Sequence, residues 1–86
     1  MSSRQVTIEI PEKVLLAEKS DEVAFAREMR LLAAIKLYEL GRLSSGRAAE
    51  LAGKSRVEFL LLLGDYKVFP LMSELEELEL ADERGD

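Results

Sequence analysis

Between Gln5 and Ile10 apolar and polar side chains alternate, with Val6, Ile8 and Ile10 set among Gln5, Thr7 and Glu9. A period of two places the three apolar side chains on one face of an extended chain, which predicts a half-buried β-strand over residues 5–10. Pro11 cannot donate to a ladder but fits the first turn of a helix, so the strand is expected to end there and a short helix to follow over residues 12–18. A lone strand leaves its backbone groups unpaired. It requires a partner, either the later stretch at residues 66–71 or the same strand of a second chain.

Beyond Ser20 the pattern becomes helical. Ser20 suits an N-cap, Asp21 and Glu22 suit the positive end of a helix dipole, and Gly41 suits a stop, so residues 21–40 read as one long helix. In its second half Leu31, Leu32, Ala34, Ile35, Leu37, Tyr38 and Leu40 spread around the axis. That spread predicts a helix buried on most sides, between two layers or two subunits.

Two short helices follow. The first is capped by Ser44 or Ser45 and stopped by Gly53; the second opens on Ser55-Arg56-Val57-Glu58, a capping box in which serine and glutamate satisfy each other's free amides. Small Ala48, Ala49 and Ala52 allow close approach, and Val57, Phe59, Leu60 and Leu62 or Leu63 supply apolar contacts. This is the spacing of a helix-turn-helix. A second capping-box pattern, Ser73-Glu74-Leu75-Glu76, precedes a weak acidic helix. The expected fold is mainly α: an N-terminal β-strand in the manner of a ribbon-helix-helix, then a helix-turn-helix-like bundle. Residues 1–70 form one compact domain, and residues 71–86 an acidic segment, weakly helical or disordered.

One stretch inside the hairpin, AAELAGKS, also satisfies the loosest form of a phosphate-binding loop. Such a loop is glycine-rich because its backbone turns its amides inward, and it follows a buried strand. Here the variable positions Ala49, Glu50, Leu51 and Ala52 all favour a helix, and no apolar strand precedes them. Each βαβ unit of a nucleotide-binding fold takes about 30 residues or more. The chain has 86, and the Gly-Lys-Ser is read as a turn between helices.

The chain has no Cys and no His. Thiolate nucleophiles, disulfides, the usual transition-metal ligands and the commonest general base are therefore missing, and no catalytic, metal or cofactor site is predicted. Ser44 and Ser45 lack an activating base and read as caps, so the protein is expected not to be an enzyme. No apolar run approaches the roughly 18 residues of a membrane span, and MSSRQVTIEI lacks the layout of a signal peptide. A cytoplasmic protein without membrane contact is expected.

The net charge of −5 is unevenly distributed: −1 over residues 1–40, +2 over 41–70 and −6 over 71–86. The weakly basic middle coincides with the hairpin. Arg42, Ser45, Arg47, Lys54, Ser55 and Arg56 are accordingly the candidate DNA contacts, hydroxyls and helix-start amides positioning phosphates while the cations add charge. One copy would make few phosphate contacts and two would double them, which favours a homodimer. On the ribbon-helix-helix scheme Arg4, Gln5 and Thr7 would add contacts from the strand. Leu71, Leu75 and Leu78 form a thin apolar stripe that either packs on the body or docks into the groove of a partner. The alternative is an adaptor that binds only protein, its hairpin serving for packing.

The run LYELGRLSSGRAAELAGKSRVEFLLLLGDYKV, preceded by VTIEIPEKVL, resembles an uncharacterised family of small prokaryotic antitoxin-like proteins, of the uncharacterised protein family 0175 type. Its most telling part is GRLSSGRAAELAG with the following SRVEF. The resemblance covers roughly residues 6–77 and implies a compact helical domain with a helix-turn-helix-like centre. It further implies partnership with a toxin such as a PIN-type ribonuclease, and autoregulation of an operon by DNA binding.

Overall fold

A computed structural model of the chain describes residues 2–69. Among them run α1 (Glu12–Glu18), α2 (Glu22–Glu39), α3 (Ser45–Ala52) and α4 (Arg56–Leu62), followed by a 3₁₀ turn over Leu63–Tyr66. Each start is fixed by local chemistry. α1 begins behind Pro11. Asp21 caps α2, its carboxylate accepting the Ala24 N–H at 2.7 Å. Ser44 caps α3 and Ser55 caps α4. The cap of α2 is thus one residue later than Ser20, because the Asp21 carboxylate reaches the free amide.

The core joins the second half of α2 to the hairpin. Ala34, Ile35, Ala48, Ala49, Phe59, Leu60, Leu63 and Val68 are buried together, with Leu31, Tyr38, Leu43, Leu51, Ala52 and Leu62 packed around them. Alanines at 34, 48 and 49 bring the helix backbones close, and Phe59 fills the space between them. The Tyr38 ring meets Phe59 edge-on, with centroids 5.8 Å apart and planes at 90°. Such a pairing places the positive ring edge over the negative face. α2 is buried on one side only: Ala34 and Ile35 are inside, whereas Leu32 and Leu40 stay exposed.

The N-terminal β-strand does not form, and with it falls the ribbon-helix-helix-like start; no ladder exists among the described residues. Residues 2–10 run without regular structure, and Val6 and Ile8 are 82% and 60% exposed. Alternation specifies which face a strand would bury but supplies no partner. The stretch expected to provide one does not, since Tyr66 ends the 3₁₀ turn, Lys67 takes a left-handed conformation at φ 58° and Val68 folds into the core. The mainly helical class stands. The acidic segment at 71–86, its capping-box pattern and Leu71, Leu75 and Leu78 lie outside the described residues.

Candidate nucleic-acid interface

Two helices of seven and eight residues would be marginal alone, so their ends carry much of the hairpin's definition. Ser44 Oγ accepts the Arg47 N–H at 3.2 Å. At the other end of α3, Gly53 adopts φ 71°, a left-handed conformation that costs glycine nothing, and this lets Gly53 and Lys54 donate back to the carbonyls of Glu50 and Ala49. The chain then enters the capping box: Glu58 N–H donates to Ser55 Oγ and Ser55 N–H donates to Glu58 Oε1, each at 3.1 Å. The bond from the Ser55 amide holds the Glu58 carboxyl below its usual range, helped by the Ser55 hydroxyl and by Lys54, against a small opposing effect of desolvation.

Of the six hairpin residues expected to meet DNA, Arg42, Arg47, Lys54 and Ser55 are exposed and Arg56 is half-buried. Ser45 is only 2% exposed, and its Oγ accepts the Arg56 Nε–H at 2.9 Å. A hydroxyl so enclosed reaches no phosphate. Ser45 instead fixes where the Arg56 guanidinium lies. Arg47 pairs with Glu50 at 3.0 Å on the open surface, where such a bridge is weak and readily exchanged for a stronger anion. The outward side of α4 carries Val57 and Leu61, 48% and 71% exposed, in place of groups that read base edges.

Arg4, Gln5 and Thr7 are exposed on the segment before α1. Arg4 lines a groove of about 1100 Å³ that also reaches Arg30 on α2 and Arg47 on α3; Gln5 and Thr7 are not in its wall. Arg30 escapes sequence reasoning, since it is one charge among several on a long helix. In the fold its Nε donates to the Leu51 carbonyl at 2.9 Å, covering an otherwise unpaired acceptor near the end of α3. Apolar side chains, among them Val6, Ile8, Phe25 and Met29, make up most of the remaining wall. Among the described residues no group of acidic side chains is placed to hold a metal ion, and no helix is long and apolar enough to cross a membrane.

Residues 1–83 match the model of a family described as Uncharacterised protein family (UPF0175). A UPF0175 protein of Aeropyrum pernix is 35% identical over 79 residues, covering 92% of this chain and 83% of its own. A UPF0175 protein of Archaeoglobus fulgidus is 46% identical over 65 residues, covering 76% of this chain and 69% of its own. No solved structure matches the chain.

Proposed function

We propose that this chain, which belongs to the uncharacterised protein family UPF0175, is a non-enzymatic regulator of the antitoxin type that binds DNA through its hairpin. The observation that supports this reading is the hairpin: α3 and α4 are joined by the short turn at Gly53 and Lys54, and Arg42, Arg47 and Lys54 are exposed along it. Residues 41–69 hold five basic and three acidic side chains, so the hairpin is the part of the chain that attracts a polyanion. Binding rests mainly on phosphates, because α4 turns Val57 and Leu61 outward. The antitoxin reading adds a toxin protein as a second partner; it draws on the resemblance carried by GRLSSGRAAELAG and SRVEF.

The test is fluorescence anisotropy on the DNA upstream of the chain's own gene and on scrambled DNA, at two salt concentrations. Tighter binding to the native sequence supports regulation. Arg47→Ala with Lys54→Ala should weaken binding and flatten the logarithmic salt dependence by about 0.9 for each phosphate no longer neutralised. Affinity unchanged by the double substitution sinks the site assignment.

A second reading is favoured by the pair Val57 and Leu61, one turn apart and exposed on α4. An apolar pair of this kind suits a protein partner, with the hairpin then a packing motif in an adaptor. Absence of DNA binding even at low salt decides for it.

A further inference from the structure

We infer that residues 70–86 of this chain dock into the apolar groove bounded by residues 2–10, α2 and α3, laying leucines along its wall and carboxylates beside its arginines. The groove, about 1100 Å³, lies above the roughly 300–1,000 Å³ of sites built for small ligands, a size that suits a segment of chain. It is open along residues 2–10: Val6 and Ile8 line it and yet remain largely exposed.

Charge selects the occupant. The wall carries Arg4, Arg30 and Arg47 against Glu22 and Glu50, a net positive surface. Arg4 makes no ion pair among the described residues, and the Arg47–Glu50 pair is open to solvent, so both guanidinium groups can take a further carboxylate. Residues 70–86 hold seven acidic side chains and one basic, a net −6, whereas the rest of the chain carries +1. A second copy would instead set one net positive wall against another.

The apolar pattern agrees with the charge. Leu71, Leu75 and Leu78 are spaced four and three apart, which puts them on one side of a helix with Glu74 and Glu79 at its borders. Such a segment offers what the wall requires: leucine for Val6, Ile8, Phe25 and Met29, carboxylate for Arg4 and Arg47. The other exposed apolar pair, Val57 and Leu61 on α4, is less suitable, because α4 and its 3₁₀ turn carry Glu58 and Asp65 against Arg56 alone.

The path of the chain delivers the segment to this place. Val68 is buried with Ala34 and Ile35 of α2 and with Ala48 and Ala49 of α3, so residues 70–86 depart from the two helices that wall the groove. Tethering gives them a local concentration on the order of millimolar, at which a thin stripe is enough. Their carboxylates beside Arg47 would compete with phosphates there; that consequence rests on the DNA-binding reading, whereas the docking does not.

The docking is tested on the full chain without DNA. The chain has no cysteine, so introduced ones report cleanly. Ala26→Cys in the α2 wall, combined with Leu75→Cys, should form a disulfide within one copy about tenfold faster than Leu61→Cys combined with Leu75→Cys, because docking concentrates the segment at one wall only. Adding Arg4→Glu and Arg47→Glu should bring the first rate down to the second while helical circular dichroism stays unchanged. Equal rates at the two positions, a rate indifferent to the arginines, or a disulfide that joins two copies overturns the assignment. On DNA, Leu71→Ser with Leu78→Ser should tighten binding by releasing Arg47. Unchanged affinity overturns the competition with phosphates, and DNA bound by neither protein overturns the DNA-binding reading while the disulfide rates still decide the docking.

Discussion

Arg56, the first residue of α4, donates its Nε–H across eleven positions to the buried Oγ of Ser45, the first residue of α3. A cation at a helix N-terminus opposes the dipole. The bond to Ser45 offsets part of that cost, and it ties the starts of the two hairpin helices together. Ser45→Ala should destabilise the fold by about 1–2 kcal/mol, and Arg56→Ala by a similar amount through the hydroxyl left buried. The double variant should lose less than the sum. Urea denaturation of the four proteins checks this; strictly additive losses would mean that the bond contributes nothing.

The turn between the helices sets a second expectation. Gly53 holds φ 71°, and a Cβ built there meets nothing within 4 Å. Any cost of Gly53→Ala therefore comes from the left-handed backbone alone, roughly 1–2 kcal/mol. Lys67 bears that same conformational cost at φ 58°. Lys67→Gly should raise the melting temperature while Gly53→Ala lowers it, and equal responses at the two sites would remove backbone conformation as the cause.

Glu58 gives the fold a pH dependence of definite sign. Its folded pKa lies below the ordinary glutamate value, chiefly because the ionised carboxylate accepts the Ser55 amide. A depressed carboxylate stabilises the fold fully above its unfolded pKa, and the contribution disappears as pH falls through the lower folded value. The stability difference between the wild type and Glu58→Gln should therefore be present at neutral pH and shrink as acid takes the carboxylate through that range. A difference that stays constant with pH would contradict this account.

Signals that act within one turn of chain were legible in the sequence. The Ser55–Glu58 box, the stop at Gly53 and the alanine-lined hairpin are local chemistry, and the structure has them where the pattern places them. Ser44 and Ser45 were not separable by sequence, because either hydroxyl can cap; the fold uses Ser44 as cap and encloses Ser45 beneath Arg56. What was illegible is what packs on what. The alternation of Val6, Ile8 and Ile10 marks a face without naming its cover, and the apolar spread over the second half of α2 overstates its burial. Both shortfalls fall on surfaces that no other element of the described chain covers.

The helices of the core pack mainly on their immediate successors, α2 on α3 and α3 on α4. Contacts so close in sequence require little loop closure before they form, and helical proteins of this kind fold in microseconds to milliseconds.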